Sequence, residues 1–160
     1  FPVKVVCLKV QDDEKKKQKN GDIAQIVQIL REGQEILVQV LKEQLGSKGA
    51  RLTTNITIPS RYLVFMPNAD NIGVSSRIEN EEDRERLKND LLVQEHRVKD
   101  AGYILRTAAE VADKDAIASD IKYLNRLWDN INNASDIKAG NAVHKDMPLF
   151  LRVVRDMVDE

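Results

Sequence analysis

Residues 46–67 constrain the fold more than any other part of the chain, because a glycine-rich turn leads there into two different strand patterns. Positions alternate between two faces over residues 51–58, which predicts a half-buried strand. One face carries Leu52, Thr54, Ile56 and Ile58, and the other carries Arg51, Thr53, Asn55 and Thr57. Pro59 and Ser60 then interrupt the ladder. Residues 62–66 form a continuous apolar run, the pattern of a strand that is covered on both faces.

The rest of the chain alternates strand and helix patterns. Further strands are predicted at residues 34–42 and 102–107. Helices are predicted at about residues 23–32, after Asn80, at about 114–132 and at 149–158. Residues 12–20 hold three acids and four lysines and are predicted to be a charged loop. This mixture predicts an α/β mixed (α+β) fold.

The helix after Asn80 has a capping residue and an apolar stripe, and the helix at 114–132 has a longer apolar stripe. Asn80 is a favourable cap, and three acids follow it in the first turn, where the helix dipole favours negative charge. Leu87 and Leu91 form the inner stripe of that helix. The helix at 114–132 presents a longer apolar stripe, consisting of Ile117, Ile121, Leu124, Trp128 and Ile131. The place of Trp128 on this stripe favours core packing over stacking on a base.

Composition excludes several classes of protein. The 160 residues include 25 basic and 26 acidic side chains, for a net charge of −1, so attraction to nucleic acid must come from local patches. Cys7 is the single cysteine, which excludes an internal disulfide framework and suits a reducing cytoplasm. No apolar run approaches the roughly 18 residues of a membrane span, so a soluble protein without a membrane partner is expected. His96 and His144 lie in no metal-ligand pattern, and no metal site is predicted.

Six short segments in one order carry a family resemblance. They are GQEILVQV, GSKGARLTT, YLVFMP, GVSSRIE, LRTAAE and PLFLRVVRD. Together they resemble the ribonuclease E/G family, from about Ile23 to the end of the chain. The resemblance implies that residues 1–52 are the later part of an OB-fold RNA-binding domain and that residues 53–133 form a region sensing the RNA 5′ end. Residues 134–160 would be the start of a ribonuclease H-like region, and the chain, which opens on Phe1, would be an internal fragment of a longer parent.

Arg106 and Thr107 are the residues most suited to bind phosphate. A terminal 5′-monophosphate carries about −1.5 to −2 charges. A guanidinium engages two phosphate oxygens at once, and an adjacent amide and hydroxyl donate further hydrogen bonds. On its own, an Arg-Thr pair at a strand end is usually ordinary structure. The resemblance implies that this pair holds the 5′ phosphate and that Val64 packs against the terminal base.

Two positions depart from the family pattern. A glycine amide assists phosphate binding in the family, and this chain has Ser60 there, which keeps the backbone donor but adds a side chain. Two consecutive arginines are found where this chain has Ser76 and Arg77. The contact made by the first of those arginines therefore does not transfer to this chain.

Lys48 and Arg51 are candidate contacts to the RNA backbone. Gly46, Lys48 and Gly49 belong to a GxxG pattern, which KH domains use to clamp nucleic acid. A KH loop joins two helices, whereas strand patterns flank this one, so a flexible connection is the preferred interpretation.

The resemblance implies a magnesium-dependent endoribonuclease that cleaves single-stranded RNA and assembles as a homo-oligomer. The aspartate segments that bind the metal in that family do not occur in this sequence, so the segment alone is expected to hold no cofactor and not to cleave. Two alternatives stay open: a non-catalytic RNA-binding module of OB type, and a structural or assembly segment whose strand edges and apolar helices dock onto protein.

Overall fold

A computed structural model describes residues 4–9, 30–134 and 137–157 of the chain. Within these ranges the chain forms two four-stranded sheets, three α-helices and one short 3-10 helix. The mixed α+β class is confirmed. The OB-type barrel, the ribonuclease H-like region and the three domain boundaries stay predictions.

The first sheet is antiparallel and joins early strands to a late one. It contains β1 (Lys4–Lys9), β2 (Glu35–Lys42), β3 (Arg51–Thr53) and β8 (Ala142–Lys145), in the order β3-β2-β1-β8. Val6 lies opposite Val38 at its centre, and both are buried. β2 confirms the strand predicted at 34–42.

The second sheet carries the candidate site. It contains β4 (Ile58–Pro59), β5 (Leu63–Met66), β6 (Ile72–Val74) and β7 (Gly102–Leu105), in the order β4-β5-β7-β6. β6 runs parallel to β7, and the other two pairings are antiparallel.

Three helices accompany the sheets, and their bounds follow local signals. They are α1 (Glu81–Leu92), α2 (Lys114–Asn132) and α3 (Leu149–Met157). The side chain of Asn80 accepts a hydrogen bond from the backbone N–H of Glu82 at 2.9 Å, which confirms the predicted cap. Asp113 caps α2 in the same way, through the N–H of Ala116 at 2.8 Å. None of the three helices in the described ranges has the length and apolarity that a bilayer span requires.

The main core lies between the second sheet and the first two helices. Phe65 and Tyr103 sit on neighbouring strands with ring centroids 5.2 Å apart, and Trp128 packs edge-on against Phe65 at 6.2 Å. Trp128 is partly buried against the core, as predicted. The helical side chains that complete this core are Leu87, Leu91, Ile117, Ile121, Leu124 and Ile131.

The single strand predicted at 51–58 is wrong. The chain turns after Thr53, whose side-chain oxygen accepts from the N–H of Asn55 at 3.1 Å, and the two halves enter different sheets. Leu52 is 40% exposed in the first sheet, whereas Ile56 and Ile58 are 2% and 1% exposed in the main core. The alternating pattern therefore corresponds to burial only in its second half.

Smaller corrections concern strand ends and faces. Pro59 does not end the ladder, because it pairs with Val64 in β4–β5. The face of β5 that carries Val64 is only half-buried, so β5 is not fully covered on both sides. The strand predicted at 102–107 ends at Leu105, because a 3-10 helix takes over at Thr107.

Two predictions fall largely outside the described residues. The charged loop at 12–20 lies entirely outside them, as do residues 23–29 of the predicted helix. Residues 30–32 of that helix are described and are not helical. The chain turns there instead, with Arg31 bonded to Gln34 in both directions and Gly33 at a φ of 79°.

Candidate functional site

Arg106 lies at the junction between β7 and the 3-10 helix Thr107–Val111. Its backbone is extended, with φ −82° and ψ 166°. Its N–H donates to the carbonyl of Tyr62 at 2.8 Å, and its own carbonyl accepts from Ala109 at 2.9 Å. The bond to Tyr62 ties the backbone of Arg106 to the turn between β4 and β5, and the bond from Ala109 ties it to the 3-10 helix.

The guanidinium of Arg106 is held on one side. Its Nη1 donates to the carbonyls of Ser60 and of Arg61, the latter at 3.1 Å. The same Nη1 lies 3.6 Å from Oδ1 of Asp156 on α3, and the side chain is 33% exposed. In the described part of the chain, every hydrogen bond of this side chain comes from Nη1. The other donors of the guanidinium are therefore available to a ligand.

An open cleft of about 570 Å³ adjoins Arg106. Residues 74–77 and 104–108 line it, and none of these nine residues is acidic. The polar side chains among them are two arginines and three hydroxyls: Arg77, Arg106, Ser75, Ser76 and Thr107. Such a lining attracts a compact anion with several acceptor oxygens.

Hydrogen bonds fix the loop at residues 75–78, which lies opposite Arg106. The N–H of Ser75 donates to the carbonyl of Leu105 at 2.8 Å, and Ile78 closes a turn back onto Ser75 at 3.1 Å. Nη1 of Arg84 donates to the carbonyls of both Ser75 and Ile78 at 3.0 Å. The hydroxyl of Ser75 lies 3.4 Å from that of Thr107, so the two sides of the cleft meet.

Ser60 is placed differently from the expected phosphate ligand. It is 1% exposed, and its backbone N–H donates to the carbonyl of Leu63 at 2.8 Å. Its hydroxyl lies 2.6 Å from Oδ2 of Asp120 on α2. In this arrangement both donors of Ser60 are engaged within the fold, and only its carbonyl contacts Arg106.

Val64 lies on the side of the second sheet that faces the cleft. It pairs with Ile104 of β7, and directly opposite residues of an antiparallel pair share one face. Ile104 lines the cleft, and Val64 is half-buried. An apolar surface thus continues from the cleft toward Val64.

Lys48 and Arg51 belong to the other sheet. Lys48 lies in the turn between β2 and β3, where its backbone bonds Leu45 in both directions at 3.1 Å. Arg51 begins β3, and both residues are exposed. The turn joins two strands, as predicted, and not the two helices of a KH clamp. Neither residue lines the cleft.

Nothing in the sequence pattern indicates Asp156 as a neighbour of Arg106. Arg155 donates to both carboxylate oxygens of Asp156, at 2.8 and 3.1 Å. These hydrogen bonds lower the pKa of Asp156 below its ordinary value of 3.8, with a smaller contribution from Arg106. The carboxylate is therefore charged at neutral pH. Its contact with Arg106 joins residues 50 positions apart, which only the folded chain shows.

The histidines do not meet in a site. His96 is exposed near α2, whereas His144 lies in β8, where burial lowers its pKa below 6.5. Among the described residues, no group of three or more potential ligand side chains could hold a metal ion.

The chain belongs to the ribonuclease E/G family, whose pattern it matches over residues 57–160. Ribonuclease G of Escherichia coli is 46% identical over 143 residues, which are 89% of this chain and 29% of that protein. Ribonuclease G of Salmonella typhimurium matches with the same identity and coverage. Ribonuclease E of a Nostoc species is 39% identical over 137 residues, which are 84% of this chain and 19% of that protein.

These similarities confirm the resemblance carried by the six segments. The chain spans less than a third of the length of these curated relatives. It is therefore similar to one part of a longer ribonuclease.

Proposed function

We propose that this chain is the RNA-binding and 5′-monophosphate-sensing segment of a magnesium-dependent endoribonuclease that processes single-stranded RNA in the cytoplasm. The observation that carries the proposal is the cleft beside Arg106, which is lined by two arginines and three hydroxyls and by no acid. Family membership supports RNA as the source of the anion. The parent enzyme would act as a homo-oligomer.

In the proposed complex, Arg106 and Thr107 bind the terminal phosphate. The carbonyls that hold Nη1 orient the guanidinium, and its remaining N–H groups donate to phosphate oxygens. Thr107 adds its hydroxyl and the backbone N–H that opens the 3-10 helix. Arg77, across the cleft, adds a second positive charge. A doubly charged phosphate is attracted to this pair of arginines more strongly than a single carboxylate is.

The other candidate residues have different roles in this proposal. Val64 supplies part of the apolar surface on which the terminal base packs. Ser60 shapes the turn beneath Arg106 and does not donate to phosphate, because its N–H is already bonded to Leu63. Lys48 and Arg51 contact the RNA backbone away from its 5′ end, where their charge is exposed.

The segment binds and orients RNA but does not cleave it in this proposal. A magnesium ion in the parent would activate water and stabilise charge on the scissile phosphate. The described residues do not fit such an ion, because no cluster of ligand side chains lies among them.

The proposal is tested by comparing two RNAs that differ only at the 5′ end, one with a monophosphate and one with a hydroxyl. Arg106→Ala should weaken binding of the phosphorylated RNA by about 1.5–3 kcal/mol, the scale of a hydrogen bond to a charged group. This is roughly 10- to 150-fold in Kd, measured by fluorescence anisotropy. Binding of the hydroxyl RNA should barely change.

Arg126→Ala is the matched control, because Arg126 is an exposed arginine outside the cleft. It should leave the preference for the phosphorylated RNA intact. Equal loss for both RNAs in Arg106→Ala would make Arg106 a general backbone contact, and equal affinity of the unchanged chain would favour the alternative RNA-binding module without end recognition.

One observation favours the assembly alternative. α3 has no buried residue in the described chain, and its apolar side chains Leu149, Phe150, Val154 and Met157 are each more than half exposed. A large exposed apolar surface is typical of a contact site. If the chain binds no RNA at low salt, this alternative replaces the proposal.

A further inference from the structure

Three consecutive carbonyls in the turn between β4 and β5 accept hydrogen bonds from Arg106. Those of Ser60 and Arg61 accept from Nη1 of Arg106, and that of Tyr62 accepts from its backbone N–H at 2.8 Å. Because Nη1 is tied to two carbonyls, the plane of the guanidinium follows the orientation of the turn. Any group that orients these carbonyls also orients Arg106.

A single carboxylate oxygen on α2 holds the same turn from the other side. Oδ2 of Asp120 accepts from the hydroxyl of Ser60 at 2.6 Å and from the N–H of Tyr62 at 2.7 Å. Asp120 thus bonds the residues that flank Arg61, 58 and 60 positions away in the chain. Hydrogen bonds to an ionised acceptor are stronger than neutral ones, so the turn is held by charge as well as by shape.

We propose that Asp120 is a positioning residue for the Arg106 guanidinium, and this inference rests on the proposed binding of a 5′-phosphate by Arg106. Asp120 does not line the cleft. It acts through Ser60 and Tyr62, whose carbonyls fix Arg106. Without its charge, the turn relaxes and Arg106 is free to move toward Asp156, which lies within 3.6 Å.

The direction of the effect separates positioning from simple electrostatics. A negative charge near a bound phosphate repels it, so direct electrostatics predicts that removing the charge of Asp120 strengthens phosphate binding. Positioning predicts the opposite, because a misaligned guanidinium loses its paired hydrogen bonds.

The experiment compares 5′-monophosphate and 5′-hydroxyl RNA of one sequence by fluorescence anisotropy. Asp120→Asn should weaken binding of the phosphorylated RNA by about tenfold and leave the hydroxyl RNA unchanged. Asp129→Asn, the same change at an exposed site on α2, should leave both affinities unchanged. In an Arg106→Ala background, Asp120→Asn should have no further effect, because the two residues act in series.

Each result decides one point. Three results overturn the positioning role alone. The first is a preference for the phosphorylated RNA that depends on Arg106 but survives Asp120→Asn. The other two are tighter binding of the phosphorylated RNA by Asp120→Asn, and equal weakening by Asp120→Asn with and without Arg106→Ala. Equal affinity of the unchanged chain for the two RNAs overturns end recognition itself. If thermal unfolding shows that Asp120→Asn is unfolded, Ser60→Ala takes its place, because this change removes one of the two hydrogen bonds to Asp120. Ser60→Ala should reduce the preference for the phosphorylated RNA by about threefold. An unchanged preference overturns the positioning role of Asp120.

Discussion

The ion pair between Arg106 and Asp156 lies next to the proposed phosphate site. The guanidinium has the carboxylate on one side and the cleft on the other. Because its pKa is lowered, Asp156 stays ionised from neutral pH down to pH 3.8, the ordinary pKa of an aspartate. The ion pair with Arg106 is lost only as the pH falls further, through the lowered pKa of Asp156. In the proposed complex, Asp156 therefore competes with phosphate for Arg106 at neutral pH.

Asp156→Asn should strengthen binding of 5′-phosphorylated RNA. The pair is about one-third exposed, so the expected gain is that of a surface ion pair, about 0.2–1 kcal/mol, or up to roughly fivefold in Kd. Titration with the phosphorylated and hydroxyl RNAs measures it. The hydroxyl RNA serves as the control, and weaker phosphate binding in the variant would show that Asp156 helps to hold Arg106 in place.

Residue-level chemistry was only partly predictable from the sequence. Arg106 and Thr107 were predicted as phosphate ligands because they stand together in one segment; both line the cleft, and their role stays a prediction. Asp120 and Asp156 were missed, because each meets the site through folding and not through spacing along the chain. Ser60 was expected to donate to a ligand, but a carbonyl of Leu63 takes its N–H.

Among the elements, β8 carries the partly buried His144. It pairs with β1 at the edge of the first sheet, and His144 lies opposite Val5. Burial lowers the pKa of His144 below 6.5, although the charge of Asp146 opposes this shift. The unfolded chain therefore takes up the proton first as the pH falls.

The stability of the chain should fall as the pH drops from above 6.5 toward the lowered pKa of His144. The contribution is complete above 6.5 and is lost below it, because the folded state favours the neutral imidazole. Melting temperatures between pH 5 and 8 check this, and His144→Gln should flatten the decline. His96→Gln is the control at an exposed histidine, and an equal flattening there would contradict the assignment to β8.

The starts of α1 and α2 were predicted more accurately than the strand at 51–58, for a physical reason. α1 and α2 carry their caps and stripes in adjacent residues, so their starts follow from local sequence. The pattern at 51–58 has the period of a strand, yet its two halves join different sheets, and only Ile56 and Ile58 are buried in the core. A period of two reports burial on one side, but it does not report which sheet provides the burial.

At the scale of the whole molecule, one core connects the second sheet to α1 and α2. Ile121, the residue after Asp120 on α2, lies within it at 0% exposure. The candidate site and the core therefore share α2. Loss of core packing is expected to lower the stability of the fold that holds the cleft.

Ile121→Ala should lower the free energy of unfolding by about 2–5 kcal/mol, the usual cost of a large-to-small change in a close-packed core. Urea denaturation measures it. Val111→Ala is the control, because Val111 is 92% exposed, and its effect should stay within about 0.5 kcal/mol. A small effect at Ile121 would mean that the core repacks around the missing atoms.

The placement of β3 and β8 has a mechanical consequence. They occupy opposite edges of the first sheet, and the chain between them makes an excursion that includes the entire second sheet. Three strand spacings separate the two attachment points, about 14 Å. A segment connected to a sheet at two separated strands rotates less freely than a segment connected at one. If RNA binds as proposed, the two sheets set the distance between the β2–β3 hairpin and the cleft, and with it the length of RNA that reaches both at once.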